Sequence, residues 1–187
     1  MRTTVSSGDG RRATHSRGSE STDEHREAAQ ELGSIDSAIV VVSDSRHDGT
    51  DTSGDLAESL ISHFGHNLVD RSIIPNDPDA IASKFHELVG KKARFVTFCG
   101  GTGLSEKDLT VETVKPLLEK ILDGYGESFR RFSWDEIGPA AMLSRAMGGT
   151  AKGCVVICTP GSTAAVRLAL EDIVLPELDH IVREANR

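Results

Sequence analysis

The chain has 187 residues, 21 Lys and Arg against 29 Asp and Glu, and a formal net charge of −8, which allows one globular unit of about 150 residues plus a tail. The acidic balance, without a basic cluster, excludes duplex nucleic acid as an expected partner. The sequence shows neither the roughly 18–20 apolar residues of a membrane span nor the apolar segment of a secretory signal.

Residues 1–33 are Ser, Thr, Gly, Arg and Glu with almost nothing to bury. Such a segment cannot offset its ordering entropy, so the expectation is a flexible tail with at most a transient helix at residues 24–32. The body starts at residue 34. Ile39-Val40-Val41-Val42 is a β-branched run typical of a strand covered on both faces. Leu56, Leu60, Ile61 and Phe64 fall at helical spacing, and Gly65 closes that helix. Residues 68–74 read as a second strand. Pro75-Asn76-Asp77-Pro78 then turns into a helix with Ile81, Phe85, Leu88 and Val89 on one face.

Residues 94–98 form a third apolar strand, followed by Gly100-Gly101-Thr102-Gly103. A helix capped by Thr110 is expected next, carrying Val114, Leu117, Leu118 and Ile121, with Pro116 either kinking it or falling in an early turn. Residues 125–149 are helical in flavour but weakly amphipathic. Val155-Val156-Ile157-Cys158 is a fourth strand, and Ser162 is placed as the N-cap of a last helix. The apolar stripe of that helix continues past Pro176, which implies a kink or two stacked pieces. Cys99, Cys154 and Cys158 lie in or beside apolar runs without a zinc spacing, so buried, reduced thiols in a cytoplasmic protein are expected. His63 and His66 read as surface residues. The alternation of strands and helices defines a three-layer α/β fold, a mostly parallel sheet with helices on both faces.

In such a sheet the strand-to-helix loops emerge at one edge, where ligands bind. Four loops share it. The first carries Ser43-Asp44-Ser45-Arg46 and Asp51-Thr52-Ser53-Gly54, the second Asn76 and Asp77, the third Gly100, Gly101, Thr102, Gly103 and Asp108, and the fourth Pro160, Gly161 and Ser162. Glycine lets backbone close on a phosphate, although a tight strand–helix turn explains a lone Gly-Gly-Thr-Gly equally well. Carboxylates among phosphate-binding groups require a cation between them and the anion. The set points to phosphate with a hard metal, most simply Mg²⁺–nucleotide.

Taken together, these motifs resemble the molybdopterin adenylyltransferase family of MogA and MoaB, whose fold also occurs in gephyrin and in a domain of MoeA. The resemblance rests on the loops above, on Asp108-Leu109-Thr110-Val111-Glu112, on Gly126-Glu127-Ser128-Phe129-Arg130, on Met142-Leu143-Ser144-Arg145-Ala146 and on Leu175-Pro176-Glu177-Leu178. It spans residues 35–187 and is nearest to the MoaB branch. It implies adenylylation of molybdopterin by Mg²⁺-ATP with release of pyrophosphate, a homotrimer or hexamer, and a MoeA-like metal-insertion partner. Asp108 then serves as catalytic carboxylate and Mg²⁺ ligand, and Ser144 and Arg145 as substrate contacts. Ser144 alternatively serves only helix packing.

The chain departs from the family at three positions. Lys107 stands for the usual Arg, Val111 for the usual Pro, and Asn76 for the Asp that follows the loop proline. Asp77, next in line, is either the second catalytic carboxylate and metal ligand or the N-cap before Pro78. Asn76 is also a metal-ligand candidate, since its carbonyl can coordinate Mg²⁺ more weakly than a carboxylate, and it keeps open a MoaB-like protein that binds molybdopterin without transfer; scaffold use of the fold is the other alternative.

Overall fold

Parallel pairing of the four apolar runs builds the centre of the computed structural model, which describes residues 33–47 and 49–187. The expected tail lies outside them apart from Gly33. β1 (Asp36–Val42), β2 (Asn67–Ile74), β3 (Phe95–Cys99) and β6 (Cys154–Thr159) stand in the order β2-β1-β3-β6 and run parallel. β5 (Met147–Ala151) and β4 (Lys120–Ile121) complete the far edge, each antiparallel to its neighbour.

Alternation along the strands fills two cores. Ile39, Val41, Phe95, Cys99, Val155 and Ile157 pack with Leu60 and Ile61 of α1 (Thr52–His63), with Phe129, and with the C-terminal helical run. Ala38, Val40, Val42, Val96, Phe98 and Val156 pack with Ile81, Phe85 and Leu88 of α2 (Pro78–Leu88) and with Val114 of α3 (Thr110–Val114). Each such fully buried large side chain contributes about 1.5–3 kcal/mol. Helices therefore cover both faces, as the strand pattern requires. Cys99, Cys154 and Cys158 are buried and free, and burial pushes Cys99 up to about 11 and Cys154 up to about 12.

Four expectations need correction, the last of them at His66. The helix after the glycine loop ends at Val114, because Pro116 has no N–H to continue it, and a 3₁₀ turn, Lys115–Leu117, follows. The chain then extends into β4, which places Ile121 on an exposed edge. Thr110 is not the cap; Leu109 is, and the Thr110 hydroxyl donates to Gly100 O at 2.8 Å. Residues 125–149 are helical only through α4 (Asp123–Ile137) and a 3₁₀ turn, Gly138–Leu143, before β5 begins. Gly148 and Gly149 hid that strand, since neither has β propensity. A Cβ on Gly149 would stand 2.2 Å from Lys120 O, so glycine is what lets β4 pair there. Lys152 (φ 50) and Gly153 (φ 71) turn β5 back into β6 with the two left-handed residues of a type I′ hairpin.

The C-terminal stripe runs through α5 (Thr163–Arg167), a π-helical stretch, Leu168–Val174, a 3₁₀ turn, Leu175–Glu177, that admits Pro176, and α6 (Leu178–Ala185).

His63 is exposed, but His66 is buried at 9% exposure, against the surface reading. Its Nδ1 accepts the Ile35 N–H at 3.4 Å, fixing the chain just before β1. Burial lowers its pKa from 6.5, and nearby Asp179 offsets this only in part. The folded state thus resists the proton that the unfolded chain accepts. Stability tied to neutral His66 is complete above 6.5 and declines as pH falls below it. Urea denaturation should give a lower midpoint at about pH 5.5 than at about pH 7.5, and His66→Gln should flatten that difference. Equal pH dependence in both proteins would assign the acid loss to other groups.

Candidate functional site

From β1 the chain passes to β2 on one side and then to β3 on the other, so the loops after β1 and β3 diverge and leave a crevice between them. The four expected loops meet there and are tied by specific bonds. Ser43 Oγ accepts the Ser45 and Arg46 N–H groups at 3.3 and 3.2 Å, shaping the first loop. Asp44 Oδ1 accepts Asn76 N–H at 2.9 Å, and Asn76 Oδ1 accepts Leu109 N–H at 3.2 Å, which links loops one, two and three. Arg46 reaches the fourth, donating from Nη2 to Gly161 O at 2.7 Å and from Nη1 to Ser53 Oγ. Gly100 N–H donates to Thr159 O at 2.9 Å.

A cleft of about 230 Å³ opens between the third and fourth loops. Gly101, Thr102, Gly103, Asp108, Ser144, Arg145, Pro160 and Gly161 line it, all of them sequence candidates, together with Leu143. Asp108 is held well below the usual carboxylate range, first by the Ser105 hydroxyl, then by backbone N–H groups of Ser105 and Gly103 and by the charge of Arg145. The Ser105 hydroxyl and N–H lie 2.7 and 3.0 Å from Asp108 Oδ2. Arg145 donates from Nε to Thr102 O at 3.1 Å and grips Glu112 with both terminal nitrogens at 2.7 and 2.6 Å. That fork raises the Arg145 pKa, lowers that of Glu112, and locks the guanidinium plane against the glycine loop.

Other candidates sit behind or beside this cleft. Asp51 is 1% exposed: Oδ1 accepts Gly54 N–H at 3.0 Å and the Ser53 hydroxyl at 3.1 Å, and Oδ2 meets Arg71 at 3.1 Å. Asp51, Ser53 and Gly54 thus brace the first loop. Asp44 and Ser45 are exposed on that loop. Asp77 Oδ1 caps α2 by accepting Ala80 N–H at 2.9 Å. Ser162 caps α5, accepting Ala165 N–H at 3.2 Å, and lines an adjoining apolar groove that shares Ser144 and Pro160 with the cleft. Sequence reasoning had not singled out Arg46, Ser105, Glu112 or Leu143 as functional. Arg46 was legible as the one cation in a loop facing the glycine turns; the Arg145–Glu112 pairing needs the fold to bring residues 33 positions apart together.

Among the described residues no group of three or more His, Cys, Asp or Glu side chains converges. Asp108 is the one carboxylate in the cleft wall, and Asn76 and Asp77 each commit an oxygen to backbone N–H groups. That donor set fits Mg²⁺ held largely by phosphates and water, which one carboxylate suffices to anchor.

Fold and cleft define an α/β protein with a cleft at the switch point of a mostly parallel sheet, where ligands of such folds bind. Residues 38–180 match the family model described as "Probable molybdopterin binding domain". The molybdenum cofactor biosynthesis protein B of Bacillus subtilis (strain 168) is 38% identical over 169 residues, covering 89% of this chain and 98% of that one. A crystal structure of a molybdenum cofactor biosynthesis protein B superposes with a TM-score of 0.78 at 41% identity, covering 82% of this chain and 97% of that one. The tungsten cofactor synthesizing protein MoaB of Pyrococcus furiosus does so with 0.75 at 33% identity, covering 82% and 98%. The chain belongs to the molybdopterin-binding domain family of molybdenum cofactor biosynthesis proteins, on its MoaB-like side.

Asp51 supplies the sharpest stability test at this edge. Asp51→Ala should cost about 1–2 kcal/mol, because it removes the α1 cap and takes one carboxylate from Arg46 and Arg71. Arg46 keeps Ser53 and Gly161 O, and Arg71 keeps Asp55 and Glu58. Asp51→Asn, which keeps the cap, should cost clearly less in the same urea titration.

Proposed function

We propose that this chain transfers adenylate from Mg²⁺-ATP to the terminal phosphate of molybdopterin, releasing pyrophosphate. The observation that carries the reading is a glycine-walled cleft in which one ionised carboxylate, Asp108, faces Arg145 across Thr102 and Gly103. A phosphomonoester with a second pKa of about 6 is already largely dianionic near neutrality, so the nucleophile needs no protein base. Positioning and charge screening are what the reaction asks of the site. Mg²⁺, when bound, supplies the screening of the triphosphate and the departing pyrophosphate.

The residues divide that work. Asp108, fixed by Ser105, offers a carboxylate whose pKa is lowered by that hydroxyl and so is ionised near neutrality. Gly101, Gly103 and Gly161 let ligand atoms approach backbone. Arg145, pinned to Glu112 and Thr102 O, directs its guanidinium along the cleft wall without rotamer freedom. The reading entails a cytoplasmic homotrimer or hexamer that passes its product to a MoeA-like metal-insertion protein. Exposed Trp134, Ile137, Met142 and Leu143, beside the cleft, support a subunit contact there.

A second reading, molybdopterin binding without transfer, draws on Asn76 and Asp77. The first carries no charge and the second is engaged as a helix cap, which leaves Asp108 without a partner carboxylate in the cleft.

Incubation with molybdopterin, ATP and Mg²⁺, followed by chromatography, decides between them: the adenylylated pterin appears under the first reading and not under the second. Asp108→Asn should slow transfer about a hundredfold or more while pterin binding persists. Asp77→Ala should cost about 1 kcal/mol of stability with the rate per folded molecule unchanged, as a cap does. The acid limb of the pH–rate profile should lie near about 6, set by the substrate phosphate, because Asp108 titrates well below it. An acid limb that moved in Asp108→Asn would contradict this assignment.

A further inference from the structure

The opposite edge of the sheet, at the amino ends of β1, β3 and β6, holds a hollow of about 350 Å³. Lys91, Lys92, Arg94 and Lys152 line it, against a single lining carboxylate, Asp36. In sequence these cations are split between two distant segments, and the fold brings them together. Lys92 is taken up by Glu87, and Asp36 accepts from the Asn67 amide at 3.2 Å. Among the described residues no carboxylate side chain pairs with Lys91, Arg94 or Lys152, although Glu119 holds the Lys152 backbone N–H at 3.1 Å. Elsewhere Arg46, Arg71, Lys84, Arg145 and Arg167 are each ion-paired, and among the described residues Lys107, Lys115, Lys120 and Arg131 are not; what sets the hollow apart is that its unpaired cations share one lining.

The backbone beneath the hollow is held in place. A Cβ on Gly90 (φ +69) would stand 2.7 Å from Lys152 Cβ, and one on Gly153 (φ +71) would stand 2.3 Å from Asn186 Oδ1. Asn186 Nδ2 clasps Gly153 O at 2.8 Å, and Arg94 N–H donates to Asp36 O at 2.8 Å. Two positive-φ glycines and a left-handed Lys152 therefore hold both cationic segments against one another.

We propose that this hollow is a second anion site, which takes a compact phosphate-bearing dianion or polyanion. Three unpaired cations in a fixed frame match two or more negative charges, and no aromatic side chain lines the wall to stack a base. The ligand is recognised by its phosphate alone. The five residues of β3 separate this site from the cleft by about 15 Å, so the two sites report independently.

The test is amide-resolved NMR titration of the full chain with orthophosphate, pyrophosphate and AMP, each against NaCl at matched ionic strength. Saturable shifts at residues 90–94 and 152–154 are expected. Saturation by orthophosphate identifies a free anion as sufficient, and saturation only by AMP or pyrophosphate identifies a phosphate carried on a larger group. The Arg94→Gln, Lys152→Asn double variant should weaken this binding by about tenfold or more, the loss of charge-assisted contacts. Asn keeps the left-handed backbone at position 152, so the variant should remain folded, with dispersed amide signals. Shifts reproduced by NaCl, shifts confined to residues 100–109 and 160–162, or a double variant that titrates as the parent would each overturn the proposal.

Discussion

Gly100 admits no side chain, and the whole carboxyl edge is arranged around that fact. Its φ is +105, and a Cβ there would stand 2.4 Å from Val42 O, at the end of β1. β3 pairs with β1 up to Cys99, so the chain must turn immediately across its neighbour's last carbonyl. Gly101 continues the turn under the same restriction, since a Cβ there would stand 2.4 Å from Thr110 Oγ1, and a Cβ on Gly161 would stand 3.2 Å from Gly100 Cα. Because these three positions are bare, the third and fourth loops close to a cleft, Thr110 reaches Gly100 O, and Asn76 reaches Leu109. A side chain at Gly100 would break all of these contacts together, since strain at positive φ adds to the clash.

Charge at this edge is arranged for geometry more than for stability. Arg145 answers Glu112, Arg46 answers Ser53 and Asp51, and Arg71 answers Asp51, Asp55 and Glu58. Pairs as exposed as Arg145–Glu112 contribute little net free energy. Their effect is to remove rotamer freedom from long side chains, so that donors at this edge are already oriented. The buried Asp51 differs: it caps α1 and binds Arg71 at once, which makes it the electrostatic anchor of the first loop.

Much of this was legible in the sequence where one residue type had one physical job. The β-branched runs at residues 39–42 and 155–157 became central strands because nothing else buries such a run on both faces. Asp77 before Pro78 and Ser162 before residue 163 became caps, and eight cleft residues were named before their meeting was visible. What failed did so where tertiary context overrides local signal. Gly148 and Gly149 carry no strand propensity, yet β5 needs them bare so that β4 can approach. Leu117, Leu118 and Ile121 keep a helical spacing that Pro116 prevents from forming a helix. His66 reads as polar surface, but its ring nitrogen answers the Ile35 N–H in the interior. Glu112 lies in a family motif that says nothing of its partner; only the fold shows that it orients Arg145.

Asn76 ties these levels together. Its backbone N–H is held by Asp44 and its side-chain oxygen holds Leu109 N–H, so one residue joins three of the four loops. An aspartate could accept the same Leu109 bond, but it would add a charge close to Asp44 and beside the loop that carries Asp108, where carboxylates repel unless a cation lies between them. Asparagine keeps the latch and removes that repulsion. Under the proposed function, Asp108 is then the one carboxylate in the cleft wall through which a cation would be held. On that proposal, the latch holds the loops in place by protein contacts alone, and most of the ligands for Mg²⁺ would come from the nucleotide and water.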